Sequence, residues 1–207
     1  MHPNPAYRGA EAAQNIAFAR DRGFGVLTIA GPDGPLASHI PFVIAPDGAS
    51  VAAHIVRSNP IWRALRDGPQ TALLAVSGAD GYVSPDWYGM EDQVPTWNYV
   101  AVHMRGQLRL LPDEALRPHL DTLSEEFERR LAPKPVWKTD KVSDDALARL
   151  MRMIAPVEMS VETIDGTWKL GQNKPDVARL GAAAEIEGGG IGAELAMIAR
   201  LMKEPPA

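Results

Sequence analysis

The chain has 207 residues, 45% of them apolar and 23% charged, which is ordinary for a folded protein with one sizeable core. It has no cysteine, which excludes disulfides, thiolate metal sites and a cysteine nucleophile. The formal net charge of −5 gives no support to direct binding of nucleic acid, because DNA-binding proteins usually carry a basic face. The amino terminus has no signal-peptide pattern and no apolar run is long enough to cross a membrane, so we expect a cytoplasmic protein.

The first part of the chain predicts a short helix followed by an antiparallel meander of strands. Residues 9–22 favour a helix with apolar residues along one side and Gly23 at its end. Three strands are predicted next, at residues 25–30, 36–44 and 51–56. The turn sequences GPDG and APDG separate them, which indicates antiparallel pairing. Residues 59–66 then predict one or two helical turns, with Pro60 in the first turn.

The middle of the chain predicts two more strands separated by an aromatic loop. Residues 71–76 are apolar after the first position, which is typical of a buried strand. From Val100 onward, apolar even positions alternate with polar odd positions, which predicts a half-buried strand. Pro85 and Pro95 precede that strand and favour a rigid loop. We expect this loop to carry the aromatic residues Trp87, Tyr88, Trp97 and Tyr99 into the sheet.

The last part of the chain predicts helices, a final strand and a tail. Helices are predicted at residues 113–131 and 143–154. A strand is predicted from Val157 to a turn at Asp165 and Gly166, and it resumes briefly at 168–170. The tail from residue 181 is rich in Ala and Gly and ends in a predicted helix at 193–202. About six short antiparallel strands with added helices indicate a small barrel.

Several short patterns give no support to a catalytic or metal site. Gly188, Gly190 and Ala193 fit the dinucleotide pattern G-x-G-x-x-A, but no strand precedes them, so we interpret them as a linker before a helix. His39 and His54 lie in adjacent predicted strands, but no third metal ligand is evident, so hydrogen-bonded histidines are favoured. No serine lies in a nucleophile elbow. We therefore predict no metal site and assign no catalytic residue.

The segment HIVRSNP, residues 54–60, has two interpretations. It passes from a strand into the start of a helix, with Arg57, Ser58 and Asn59 at the junction. Free backbone N–H groups and an arginine fork at such a junction are what a phosphate monoester needs. An ordinary helix cap by Ser58 or Asn59, with a solvated Arg57, fits the same residues equally well.

Five longer segments share their order with a known family. They are SHIPF (38–42), AHIVRSNPIW (53–62), YVSPDWY (82–88), VPTWNYVAVHMRG (94–106) and VEMSVETIDGTWKLGQNK (157–174). Together they resemble the PaiB-type FMN-binding negative transcriptional regulators, a branch of the flavin-binding split barrels that includes pyridoxamine-phosphate oxidase. The resemblance implies a six-stranded antiparallel split β-barrel. Combined with the elements predicted above, it places the barrel domain at residues 1–180, with a helical insertion at about 113–154 and the tail at 181–207. It also implies a homodimer with FMN in a groove between the subunits.

The resemblance also implies which residues contact FMN. Arg57, Ser58 and Asn59 would hold the phosphate, and Ser38, His39 and Ile40 would border the isoalloxazine. The other cofactor contacts implied by the matching segments are His54, Trp97, Asn98, Trp168, Lys169, Gln172 and Lys174. Packing at the dimer interface is an equally good interpretation of Trp87 and Trp168.

Three functions are compatible with these observations. The first is an FMN-binding protein with a regulatory role, in which flavin alters contact with a partner. The second is an FMN-dependent reductase or oxidase of a small molecule, in which the flavin carries hydride chemistry. A related barrel that binds haem would need a histidine or a comparable axial ligand.

Overall fold

The computed structural model describes residues 1–205, and the last two residues of the predicted tail, 206 and 207, lie outside this range. The helices are α1 (Ala12–Arg22), α2 (Pro60–Leu65), α3 (Leu116–Arg129), α4 (Asp144–Met151), α5 (Asp176–Gly188) and α6 (Leu195–Lys203). The strands are β1 (Phe24–Ile29), β2 (Leu36–Ile44), β3 (Ser50–Val56), β4 (Gln70–Val83), β5 (Thr96–Leu110), β6 (Ile154–Lys169) and β7 (Gly192–Ala193). Within the described range, no helix is long and apolar enough to cross a bilayer.

The strands form a closed antiparallel barrel. The sheet order is β1-β2-β3-β6-β5-β4-β7, and β1 also pairs with β4, which closes the first six strands on themselves. The short β7 pairs with the far end of β4, where Ala193 lies opposite Asp80. The prediction of a six-stranded antiparallel barrel with added helices is therefore confirmed.

The chain forms two compact units. Unit 1 comprises residues 1–18, 76–103 and 164 onward, and unit 2 comprises residues 19–75 and 104–163. The long strands β4, β5 and β6 contribute one part to each unit.

Unit 2 builds its core from alternating strand residues and one face of α3. Leu27 and Phe42 are among the strand side chains that are almost completely buried, and Leu116 and Leu123 of α3 are also buried. β5 and β6 approach so closely that a Cβ on Gly106 would lie 1.6 Å from the carbonyl oxygen of Ser160. Only glycine fits this position.

Unit 1 builds its core largely from α5 and α6. Small residues of α5, such as Ala182 and Ala183, leave room for Ile198 and Met202 of α6, and all four are fully buried. The buried guanidinium of Arg179 in α5 donates hydrogen bonds to the carbonyl oxygens of residues 202 and 203 at the end of α6. Because the last carbonyls of a helix have no partner within it, this arginine satisfies groups that would otherwise be unpaired.

The prediction for the tail was incomplete, because α5 was not foreseen. Its sequence is dominated by Ala and Gly and lacks the stripe of large apolar residues that marks a helix against a core. Its small side chains are what allow the close approach of α6. The segment between Gly188 and Leu195 does connect the two helices, as expected for the glycine-rich stretch.

The predicted turn at Asp165 and Gly166 was wrong, because β6 continues through both residues. A Cβ on Gly166 would lie 2.0 Å from the Oδ1 atom of Asn15, so this glycine permits close packing within a strand. β4 was also underestimated, since it extends to Val83. Within it, a Cβ on Gly78 would lie 2.6 Å from the ring of Phe18.

The aromatic loop is shorter than predicted. Trp87 and Tyr88 lie on a 3-10 turn, Pro85–Tyr88, but Trp97 and Tyr99 already belong to β5. The predicted alternation of buried and outward positions in β5 is confirmed, and it begins at Asn98, two residues earlier than expected.

Candidate functional site

The side chain of Asn59 stabilises the junction between β3 and α2 through two hydrogen bonds. Asn59 Oδ1 accepts a hydrogen bond from the Ile61 N–H at 2.8 Å, and Pro60 occupies the first position of α2. The Nδ2 atom of Asn59 donates a hydrogen bond to Ser38 Oγ on β2 at 3.1 Å. The helix cap is therefore Asn59, and the same side chain joins two segments that the sequence analysis assigned to the flavin site.

Arg57 lies at the same junction, in a partly solvent-accessible ion pair. Its guanidinium lies 2.6 Å from Asp113 Oδ1 and 5.9 Å from the ring centroid of Trp62. The Arg57 side chain is 31% exposed and that of Asp113 is 70% exposed. An exposed ion pair of this kind is weak, so an incoming anion can displace Asp113 from Arg57 at little cost.

A cavity of about 320 Å³ lies beside Arg57. It is lined by Arg57, Asp113, Leu116, Met151 and Arg152. Two guanidinium groups and one carboxylate give this cavity a net positive charge, which suits a phosphate. Arg152 was missed by the sequence analysis, because it follows α4, far from Arg57 in the chain, and belongs to no recognisable motif.

The other predicted residues of unit 2 differ in what they offer a ligand. His39 is exposed, with its ring 6.3 Å from that of Phe24 in a stacked arrangement. Ile40 is in the core, so only its backbone is available to a ligand. Among residues 1–205 no group of three or more His, Asp or Glu side chains is placed to hold a metal ion.

His54 faces His119 of α3. The Nδ1 atom of His54 lies 3.2 Å from the Nε2 atom of His119. Burial lowers the pKa of both imidazoles, and the nearby His54 helps to lower the pKa of His119 to about 4. The pair is therefore neutral at pH 7, with one ring donating to the other. Within residues 1–205, the buried Nδ1 atom of His119 has no hydrogen-bond partner.

Three of the predicted residues of unit 1 have structural contacts of their own. The indole N–H of Trp168 donates to Asn15 Oδ1 at 2.9 Å, and its ring packs edge-on against Phe18. The side chain of Gln172 bonds to the backbone just before it. Its Oε1 atom accepts from the Leu170 N–H at 2.8 Å, and its Nε2 atom donates to the carbonyl oxygen of residue 168 at 2.6 Å. Trp97 is 44% exposed on the outer face of β5, and its ring packs edge-on against Tyr82.

The remaining three, Asn98, Lys169 and Lys174, line one cavity of about 240 Å³. Tyr88, Gln93, Thr96 and Asn173 are also among its lining residues, and the sequence analysis did not assign them to a site. These residues come from two segments far apart in the chain, which no local pattern in the sequence connects. The structure thus brings together part of the WKLGQNK segment with the start of β5.

The comparisons with known proteins agree with this fold. Residues 1–163 match a family model described as "Putative FMN-binding domain". The chain belongs to this FMN-binding family. It is 29% identical over 186 residues to the "Protease synthase and sporulation protein PAI 2" of Bacillus subtilis, covering 88% of each chain. The resemblance to PaiB-type proteins is therefore confirmed.

Two solved structures share the fold of this FMN-binding family member at low sequence identity. The FAD and heme binding protein from Mycobacterium smegmatis is 17% identical with a TM-score of 0.59, over 90% of this chain and 82% of that one. The flavocytochrome Anf3 from Azotobacter vinelandii is 18% identical with a TM-score of 0.54, over 81% and 72% of the two chains.

Proposed function

We propose that the protein holds the phosphate of FMN in the cavity lined by Arg57 and Arg152. The observation that carries this proposal is the ion pair between Arg57 and the exposed Asp113, which holds a guanidinium at the edge of a cationic cavity. Asn59 uses its side chain to cap α2, which leaves the Arg57 guanidinium and the exposed hydroxyl of Ser58 as the side-chain donors at the junction that a phosphate could use. When bound, FMN supplies hydride and electron transfer, and the chain's residues position it.

The proposed flavin contacts on β2 are Ser38, His39 and the backbone of Ile40. Ser38 is held by Asn59, so a ligand at the phosphate site and a ligand along β2 would meet connected residues. The exposed ring of His39 offers a flat surface at the same strand. These contacts support a ring position along β2.

We propose a homodimer with FMN at the subunit interface, as in the family that the sequence resembles. Support comes from apolar surface on unit 1: Trp97 and Val94 are exposed, and Tyr82 packs edge-on against Trp97. An exposed aromatic cluster of this kind is typical of protein interfaces. Sedimentation at several protein concentrations tests this part, and a monomer at micromolar concentration would contradict it.

The biological role that we propose is a flavin-dependent regulator of PaiB type. A formal net charge of −5 favours regulation through a protein partner over direct contact with DNA. Retention of promoter DNA, but not random DNA, at physiological salt would instead indicate direct operator binding.

The second candidate is an FMN-dependent oxidoreductase. It is favoured by the cavity of Lys169 and Lys174, which is large enough for a small molecule. Bleaching of the bound flavin by NADH or NADPH, followed by reoxidation on adding a substrate, would support this role. A flavin that neither nucleotide reduces would argue against it.

The experiment that tests FMN binding is a visible spectrum of the purified protein, followed by FMN titration if it is colourless. We expect flavin absorbance, or saturable quenching of FMN fluorescence with one FMN per subunit. No binding at a large excess of FMN would refute the proposed function.

A further inference from the structure

The cavity in unit 1 holds two lysines whose charges are not neutralised. Lys169 Nζ donates to the hydroxyl of Thr96, and Lys174 Nζ donates to the amide oxygen of Gln93. Both acceptors are neutral. Within residues 1–205, neither lysine forms an ion pair with a carboxylate, although Asp92 also lines the cavity as an exposed residue.

The ammonium form of Lys169 is disfavoured by its surroundings. Burial lowers the pKa of Lys169, and the charge of Lys174 lowers it further. Lys174 also lies over the ring of Tyr88, with Nζ 5.1 Å from the ring centroid. An ammonium has three donors, so each lysine retains donors beyond its single neutral acceptor. A bound anion would accept these hydrogen bonds and relieve the repulsion between the two charges.

We infer that this cavity binds a small dianion, a phosphate or a dicarboxylate, between Lys169 and Lys174. Its volume of about 240 Å³ is below the usual range for drug-sized ligands, which favours a small occupant. The buried amide of Asn98 and the exposed amide of Asn173 line the same space and add neutral donors.

The resemblance implies that Asn98, Lys169 and Lys174 contact FMN, whereas we assign them to a different ligand. FMN carries one phosphate, and the proposed function assigns it to Arg57 and Arg152 in unit 2. The lysine cavity lies entirely in unit 1. We therefore treat this cavity as a second anion site, suited to an acidic substrate or effector, and competition with FMN would return its lysines to the flavin pocket.

The test is calorimetric titration of the protein with inorganic phosphate and, separately, with succinate, before and after saturation with FMN. We expect saturable binding of one of the two anions, which identifies the preferred class, with an affinity that FMN leaves unchanged. Lys169→Gln and Lys174→Gln should each weaken it by about tenfold or more, because each removes a charge-assisted contact. Lys203→Gln is the matched control, since Lys203 lies on α6 of the same unit and pairs with Glu187.

Wild-type protein alone gives a second readout. NMR of isotopically methylated lysines should show the pKa of Lys169 rising when the anion binds, because the bound charge stabilises the ammonium. Three results would overturn the inference: no saturable binding of either anion, unchanged binding in both lysine variants, or competition between the anion and FMN. Anion binding without any FMN binding would leave the inference standing while refuting the proposed function.

Discussion

Replacing Arg57 with alanine removes one of the two guanidinium groups beside the cavity in unit 2. A charge-assisted hydrogen bond to a phosphate contributes about 1.5–3 kcal/mol. Phosphate binding must first displace Asp113, and an exposed pair of this kind is worth about 0.2–1 kcal/mol. The net loss is therefore about 0.5–2.8 kcal/mol, which weakens FMN binding by about 2- to 100-fold.

Asp113→Asn should have the opposite effect on FMN affinity. The change removes the carboxylate that competes with phosphate for Arg57, so binding should tighten, by up to about fivefold. Arg66→Ala is a matched control, because the Arg66 guanidinium also lies over Trp62, at 5.3 Å, but does not line the cavity. Its FMN affinity should stay within about twofold of wild type.

Quenching of FMN fluorescence at constant ionic strength measures all three affinities, and thermal melting verifies that each variant is folded. Constant salt matters because screening weakens exposed charge interactions. A folded Arg57→Ala variant with wild-type affinity would refute the phosphate assignment. Weaker binding by Asp113→Asn would show instead that the pair between Arg57 and Asp113 acts by holding the structure together.

Three further predictions concern stability. Asn15→Ala should lower the free energy of unfolding, measured by denaturant titration, by about 1–3 kcal/mol, because it leaves the buried N–H of Trp168 unpaired. Adding Trp168→Phe to this variant should recover part of the loss. Gly166→Ala should cost a similar 1–3 kcal/mol or so by the same measurement, since its methyl group would strike Asn15, and a wild-type midpoint would contradict this packing. The pKa of His119 is about 4 in the folded protein and about 6.5 in the unfolded chain, so protonation favours the unfolded chain. As pH falls from 6.5 to 4, this residue should lower the free energy of unfolding by about 3 kcal/mol. A His119→Leu variant should show a smaller loss over this range, and an unchanged slope would exclude the buried pair with His54 as its source.

The barrel was predictable because several of its strands, such as β1, β3 and β5, alternate between buried and less buried positions. Val100, Val102 and Met104 are buried and their polar neighbours are not, so the buried face of β5 could be predicted from the sequence. The start of α2 could also be predicted, since Pro60 follows residues that commonly cap helices. What the sequence left open was which residue caps the helix, because both Ser58 and Asn59 suit that role.

The features that were missed depend on residues far apart in the chain. Gly166 suggested a turn, but its requirement for glycine comes from Asn15, at the other end of the chain. Trp168 and Lys169 are adjacent, yet the first is held in the core by Asn15 and the second lines a cavity. Because the direction of a side chain is set by tertiary packing, a motif identified the segment but did not separate ligand contacts from core contacts.

Unit 1 is assembled from three separate stretches of chain, and this has a consequence during biosynthesis. A ribosome delivers the amino-terminal residues first, so every segment of unit 2 exists once residue 163 has emerged. The core of unit 1 still lacks α5 and α6, whose Ile186, Ile198 and Met202 are fully buried in the finished protein. Until α5 and α6 have been synthesised, Val83 and Val100 therefore lack the cover of these two helices, and a stop codon before α5 would make that exposure permanent.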